Sequence, residues 1–119
     1  MVAIIDDDEA VRLATASLVR SLGLTISTFA SAEEFLQSPR CCDSDCVITD
    51  VQMPGMGGME LQARLRAAGS RTPVIFITAF PEDHVRRQAT EGGAIGFFSK
   101  PYDGGAMIAC LDAALGGLG

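Results

Sequence analysis

The chain has 119 residues, a formal net charge of −6 at pH 7, 48% hydrophobic and 20% charged residues, which suits one globular domain over residues 1–119 rather than a disordered chain. Its nine basic residues are scattered, so we expect no direct binding to nucleic acid. It has no signal-peptide pattern and no apolar run near the roughly 20 residues of a membrane span, so we expect a cytoplasmic protein without membrane contact.

Five apolar runs rich in β-branched residues recur along the chain and predict strands: "VAII", "TISTF", "CVIT", "PVIFIT" and "IGFFS". Segments with helical spacing of apolar residues lie between them, as at Val11, Leu18 and Leu22. The apolar runs are continuous rather than alternating, which is typical of parallel strands covered on both faces. We therefore expect a doubly wound α/β fold with a five-stranded parallel sheet and five helices.

Several helix boundaries carry recognisable residues. Ser31 followed by Glu34 is the pattern of a capping box and predicts the start of the second helix. Gly23 and Gly69 fall where the first and third helices should end, and Pro73 precedes the fourth strand, where its missing N–H does least harm. The final "GGLG", residues 116–119, suits the beginning of an interdomain linker.

Three cysteines cluster in "PRCCDSDC" and raise the question of a zinc or redox site. The adjacent Cys41 and Cys42 fit poorly in one tetrahedral site, Cys46 completes no paired C-x-x-C, and the histidine, His84, lies far along the chain. We therefore expect reduced thiols without a metal, and Cys110 as a small apolar residue of the core.

Polar residues follow the predicted strands where each one ends. They are Asp6 and Asp7 after the first strand, Asp50 after the third, Thr78 after the fourth and Lys100 after the fifth. Ligands of open parallel sheets bind outside the carboxyl ends of the strands. Any one of these residues alone suits a solvated loop, but together they predict a site at one edge of the sheet.

The residue types at this edge favour phosphoryl transfer. Mg²⁺ prefers carboxylate oxygens and water and commonly shares a phosphate oxygen with its substrate. Lys100 would hold another phosphate oxygen as a point charge, and the Thr78 hydroxyl would donate to a third. Asp8 and Glu9 lie where the first helix begins, and the helix dipole accounts for them without a metal.

Four segments, "IIDDDEAVR", "VITDVQMPGMGG", "VIFITAF" and "GFFSKP", resemble the receiver domain of bacterial two-component response regulators, and the resemblance covers the whole chain. It implies a flavodoxin-like sheet in the order 2-1-3-4-5, as in the chemotaxis regulator that exemplifies that order. It also implies a switch, rather than a turnover enzyme, that a sensor histidine kinase phosphorylates. The switch would control an output domain, expected to be transcriptional because many receivers of this appearance precede a DNA-binding helix-turn-helix domain.

The resemblance also implies roles for individual residues. Asp50 would be the phosphoacceptor, and Mg²⁺ would be held by Asp6, Asp7, Asp50 and the backbone carbonyl of Gln52. The remaining roles are Thr78 as switch hydroxyl, Phe97 as switch aromatic beside a permanently buried Phe98, Lys100 as the lysine of the site, and a cis peptide bond before Pro101.

The predicted fifth helix, in "DGGAMIACLDAALGGLG", has little polar surface, since Asp103 and Asp112 are its only charges. We expect an outward face of Ala, Met and Cys that serves as a partner surface, with an ordinary alanine-rich exposed helix as the alternative. The hypothesis is that phosphorylation shifts the face of helix four, strand five and helix five toward a dimer-competent form.

Two other functions are compatible with parts of the pattern. A Mg²⁺-dependent phosphohydrolase of the haloacid dehalogenase type also uses an Asp nucleophile, but it places a second Asp where this chain has Gln52, and it encloses its substrate with a cap domain. A degenerate receiver that only binds proteins would have lost an acidic, Thr or Lys position, and none is lost here.

Overall fold

The computed structural model describes residues 1–39 and 41–116, without the side chain of Cys42. Strands and helices alternate within these residues. They are β1 (Val2–Ile5), α1 (Glu9–Arg20), β2 (Ile26–Phe29), α2 (Ala32–Gln37), β3 (Cys46–Asp50), α3 (Gly58–Ala67), β4 (Val74–Thr78), α4 (Asp83–Glu91), β5 (Gly96–Ser99) and α5 (Gly104–Leu115), with a 3₁₀ turn at Cys41–Asp43. The predicted linker residues 117–119 lie outside the described part.

The sheet is parallel throughout, in the order β2-β1-β3-β4-β5, which confirms the predicted fold class. The central strands β1, β3 and β4 are buried along their whole length, because helices cover both faces of the sheet, and this is why their sequences are continuously apolar. No described helix is long and apolar enough to cross a membrane.

Alternate residues of the central strands enter two separate cores. On one face, side chains such as Ile5 and Phe76 pack with Phe35 of α2 and Leu61 of α3. On the other face, the packing partners come from α1 and α5. They are Val2, Ile4, Ile48, Ile75 and Ile77 of the sheet with Ala16, Val19, Met107 and Leu111 of the helices. The sheet thus lies between two helical layers and packs against both of them.

The predicted helix boundaries are confirmed with one difference. The Ser31 hydroxyl accepts the N–H of Glu34 (3.0 Å), as a capping box requires, but the Glu34 carboxylate accepts the N–H of Ala30 (3.4 Å) instead of that of Ser31. Asp8 caps α1 by accepting two backbone N–H groups of its first turn, which gives it the local role expected from its position. Gly23 and Gly69 have φ of 81° and 83° shortly after α1 and α3.

Two burial expectations are wrong. Phe98 is only partly buried, because β5 is the edge strand and has a neighbour on one side alone. Met107 is fully buried and faces the sheet with Leu111, one helical turn later. The exposed face of α5 is therefore built from other small residues, namely Gly105, Ala106, Ala109, Asp112 and Ala113, with Cys110 half-buried beside it.

A pair of glycine substitutions tests how tightly α3 is packed behind the sheet edge. Gly58, the first residue of α3, is so close to the end of β3 that a Cβ would lie 2.3 Å from the carbonyl oxygen of Asp50. We expect Gly58→Ala to lower the free energy of unfolding by about 1–3 kcal/mol, the usual range for overpacking. The measurement is urea unfolding.

Gly105→Ala is the matched control in the first turn of α5, where a Cβ would meet nothing closer than an Asp103 oxygen at 3.4 Å. Alanine should raise the free energy of unfolding there by up to about 1 kcal/mol, since it is the better helix former. Effects of the same sign at both positions would contradict this account of the packing.

Candidate functional site

The polar residues predicted from the strand ends do meet at one edge of the sheet. β1 and β3 are hydrogen-bonded neighbours, and this places Asp6 and Asp7, which follow β1, beside Asp50, the last residue of β3. Thr78 ends β4, and Lys100 directly follows β5. The site therefore depends on the sheet order, which brings the ends of four strands together.

Three carboxylates form an acidic cluster at this edge. Asp6, Asp7 and Asp50 each offer one oxygen, and these oxygens lie within 4.8 Å of one another. Asp6 is fully buried and Asp50 is 5% exposed, whereas Asp7 is exposed. Like charges this close repel one another, so the cluster favours a cation.

Lys100 supplies one such cation. Its Nζ lies 2.8 Å from Oδ2 of Asp50 and 3.1 Å from Oδ2 of Asp6. Its backbone N–H donates to the carbonyl of Thr78 (2.8 Å), and the following peptide bond, to Pro101, is cis, as the resemblance implied. The lysine thus crosses from the edge strand to the two central carboxylates.

The pKa values record this balance of burial and charge. Burial raises the pKa of Asp6 above its ordinary value, repulsion from Asp50 adds to the rise, and the N–H of Asp8 with the Lys100 ammonium opposes it without reversing it. Burial alone would lower the pKa of Lys100, but its hydrogen bonds to Asp50 and Asp6 outweigh that effect, and the pKa is raised. The ammonium form of Lys100 is therefore stabilised.

Hydrogen bonds from backbone N–H groups orient the Asp50 carboxylate and the Thr78 hydroxyl. The N–H of Gln52 donates to Oδ1 of Asp50 (3.1 Å), and the Gln52 side chain is exposed. Thr78 is 1% exposed, and its hydroxyl oxygen accepts the N–H of Phe80 (3.1 Å). The Thr78 hydroxyl proton is thereby left available for another acceptor.

Phe97 lies on β5, the strand paired with the one that ends at Thr78, and is half-buried. Its ring centroid is 6.4 Å from that of Phe76, and the guanidinium of Arg86 lies over the ring, 5.0 Å from its centroid. Phe97 is therefore held between the core and a cation–π contact from α4.

Sequence reasoning missed several contacts with the site. Arg12 donates from Nη1 to the carbonyl of Asp6 (2.7 Å), and its position one helical turn after Asp8 was an available signal. Glu33, on α2, reaches the loop after β3 and accepts the N–H of Met56 (3.2 Å). Glu33 and Met56 lie 23 positions apart, and Arg86 and Phe97 lie on different elements, so no local pattern indicates either contact.

The described cysteines take no part in the acidic site. Cys46 is buried at the start of β3, at the opposite end of that strand from Asp50, and burial raises the pKa of its thiol to about 12. Burial also raises the pKa of the Cys110 thiol. Both groups remain neutral thiols near pH 7, which suits packing rather than metal binding or redox chemistry.

The donor set fits a hard divalent cation. Oδ2 of Asp6 is buried and accepts no hydrogen bond from the described residues, because the Lys100 ammonium near it is not aligned for one. A buried oxygen with an unused lone pair beside two further carboxylates is the ligand chemistry that Mg²⁺ prefers. Asp6, Asp7 and Asp50 are thus the residues here that can hold the ion.

A five-stranded parallel sheet with an acidic cluster and a lysine at its carboxyl edge defines a flavodoxin-like domain with a candidate cation site. The family model "Response regulator receiver domain" matches residues 2–112, and the chain belongs to this family. The chain is accordingly a receiver domain of two-component response regulators, and its homologues are signalling proteins rather than turnover enzymes.

Two curated relatives illustrate the similarity. The chain is 38% identical over 115 residues to the response regulator protein TodT of Pseudomonas putida, and 41% identical over 115 residues to the transcriptional regulatory protein FixJ of Azorhizobium caulinodans. Each alignment covers 97% of this chain, but only 51% of TodT and 54% of FixJ. The chain therefore spans about half the length of these relatives.

Solved structures agree with this assignment. A response regulator receiver protein from Burkholderia phymatum superposes with a TM-score of 0.83 at 42% identity, covering 98% of this chain and 94% of that one. The crystal structure of FixJ-N gives a TM-score of 0.84 at 31% identity, covering 97% and 92%. Both comparisons extend over nearly the whole domain.

The raised pKa of Lys100 gives stability a pH dependence that can be measured. The folded state holds this proton more tightly than the unfolded chain, so the contribution is fully present below pH 10.5, the ordinary lysine value, and is lost as the pH rises through the higher folded-state pKa. We expect the free energy of unfolding of the wild type to fall above pH 10.5 more steeply than that of Lys100→Met. Urea unfolding at a series of alkaline pH values measures both slopes, and equal slopes would show that the ion pair is not responsible.

Proposed function

We propose that Asp50 is the phosphoacceptor and that a sensor histidine kinase supplies the phosphoryl group. The observation that carries the proposal is the position of Asp50: it belongs to the acidic cluster and also accepts the hydrogen bond of Lys100 at 2.8 Å. A nucleophilic carboxylate with a cation beside it is what an in-line attack on phosphorus needs.

In the proposed reaction, an oxygen of Asp50 attacks the phosphorus of a phosphohistidine. A phosphorus–oxygen bond forms, the phosphorus–nitrogen bond breaks, and the imidazole leaves with the electron pair. Lys100 is near enough to neutralise one oxygen of the transferred group, and Thr78 can donate its free hydroxyl proton to another. Both residues therefore act on the charge of the phosphoryl group.

Magnesium is part of the proposal. Asp6, Asp7, Asp50 and the backbone carbonyl of Gln52 would hold the ion, and the fit of the first three is supported by their shared cluster and by the unused oxygen of Asp6. When bound, the ion supplies positive charge for the transferring phosphoryl group.

The proposed output path begins at Thr78 and Phe97. A Thr78 hydroxyl drawn toward a phosphoryl group on Asp50 would change the space next to Phe97, which lies on the neighbouring strand and is held from outside by Arg86. The surface formed by α4, β5 and α5 would then change its preference for a partner, either an output domain or a second copy. A transcriptional output is proposed because relatives such as FixJ are named transcriptional regulatory proteins.

Phosphorylation of Asp50 can be tested by intact mass spectrometry after incubation with acetyl phosphate and Mg²⁺. We expect one labile phosphoryl group on the wild type and none on Asp50→Asn, because the amide is not a nucleophile. Omission of Mg²⁺, or the substitution Asp7→Ala, should greatly reduce labelling. Labelling of Asp50→Asn at the wild-type level would assign the phosphoryl group to another residue.

Self-association through α5 can be tested by sedimentation with and without beryllofluoride and Mg²⁺. We expect the activated wild type to dimerise and Ala109→Glu to stay monomeric, because Ala109 lies on the exposed small-residue face of α5. Ala63→Glu, an equally exposed alanine on α3, is the control and should dimerise like the wild type. An activated wild type that remains monomeric at high micromolar concentration would mean that this face binds another domain or protein.

A further inference from the structure

The loop between β3 and α3, residues 51–57, is fixed at two separate places. At its base, the N–H of Gln52 donates to Oδ1 of Asp50 (3.1 Å). At its apex, the N–H of Met56 donates to Oε2 of Glu33 (3.2 Å), which belongs to α2 and lies 23 positions earlier in the chain. The loop is thus tied to the acidic site at one end and to α2 at the other.

The approach of Glu33 to this loop is unusually close. Gly55 has a φ of 77°, and a Cβ on it would lie 2.4 Å from Oε2 of Glu33. The left-handed backbone favours glycine at the apex, and the absence of a Cβ leaves room for the Glu33 carboxylate in its present position.

The other oxygen of the same carboxylate, Oε1 of Glu33, is buried and accepts no hydrogen bond from the described residues. Burying an oxygen without a partner costs free energy, so an apolar side chain would fill this space at lower cost. A carboxylate in this place is accounted for by the hydrogen bond it accepts from the loop.

Few residues separate the two fixed points of the loop, Gln52 and Met56. Between Gln52 and Met56 stand Met53, Pro54 and Gly55, and the proline ring fixes one of the backbone angles. At the far end, the N–H of residue 58 donates to the carbonyl of residue 51 (2.9 Å) and closes the loop. With so few residues between the two points, we expect a displacement of the apex to move the backbone of Gln52.

We infer that Glu33 is a positioning residue for the metal site, because it holds the loop that presents the carbonyl of Gln52. The inference rests on the proposed function, in which that carbonyl joins Asp6, Asp7 and Asp50 as a ligand. Partners that orient metal ligands without touching the ion commonly change metal affinity by 10–100-fold when they are removed. Glu33 would orient the Gln52 carbonyl in this way, without touching the ion.

The test uses the ¹⁵N-labelled chain and two readouts from backbone amides. In metal-free protein, Glu33→Ala should speed hydrogen exchange of the Met56 amide by about tenfold, because its acceptor is gone. In a titration with MgCl₂, the dissociation constant read from amide shifts near Asp50 should rise by about tenfold, at the low end of such effects. Both readouts come from folded protein, so they are separate from a change in stability.

Two further variants control for charge and for helix stability. Glu34→Ala removes the same charge from the next position of α2, where the carboxylate accepts the N–H of Ala30 (3.4 Å) and not that of Met56. This variant should leave both readouts within twofold of wild type. Glu33→Gln retains an oxygen that can accept the Met56 N–H, and it should restore Mg²⁺ affinity to within about threefold of wild type.

The outcomes separate the inference from the function on which it rests. A wild type whose amides do not respond to MgCl₂ contradicts the proposed metal site itself. A responsive wild type with Glu33→Ala equal to Glu34→Ala in Mg²⁺ affinity overturns the positioning role, whatever happens to amide exchange. If Glu33→Gln is as impaired as Glu33→Ala, the charge of Glu33 matters rather than its hydrogen bond, and the inference is also wrong.

Discussion

The contact of Lys100 with two buried carboxylates is the interaction on which the rest of the site depends. Asp6 and Asp50 come from neighbouring strands and are almost completely removed from water, where isolated charges are very unfavourable. Lys100 directly follows β5, which is separated from β3 by β4, and its side chain reaches both carboxylates. The sheet order therefore makes possible a charge arrangement that no single segment could form.

The negative charge of the carboxylates at this edge is only partly neutralised by Lys100. Three carboxylates face one ammonium, and the pKa of Asp6 is raised although Lys100 lies beside it. A divalent cation would complete the charge balance of the cluster, and a phosphoryl group on Asp50 would upset it again by adding negative charge next to Lys100 and Thr78. In the proposed function, repulsion among the negative groups at this site is the reason that phosphorylation of Asp50 can shift the equilibrium between conformations of the domain.

The sequence predicted the parts of this structure that follow from local rules. Continuous apolar runs gave the parallel sheet, and the rule for strand ends placed Asp6, Asp50, Thr78 and Lys100 together. The error at Met107 arose because burial depends on the rotation of α5, which a short window does not encode. The error at Phe98 arose because a Phe-Phe pair was assigned to the core, although the expected strand order already put β5 at the edge of the sheet. Glu33 could not be found because its partner, Met56, is distant in sequence and becomes a neighbour only through the path of the loop.

The contacts of α4, which lies wholly in the described part of the chain, differ between its two ends. At its C-terminal end, Gln62 of α3 donates to the carbonyl of Ala89 (3.0 Å) and Arg66 donates to that of Gly92 (3.1 Å). At its N-terminal end, Glu82 makes no side-chain capping hydrogen bond, and Ala89 is the buried residue of the whole helix. The end of α4 that follows Thr78 is thus the less constrained one. A displacement that begins at Thr78 would meet little resistance there, while Gln62 and Arg66 keep the distant end of the helix on α3.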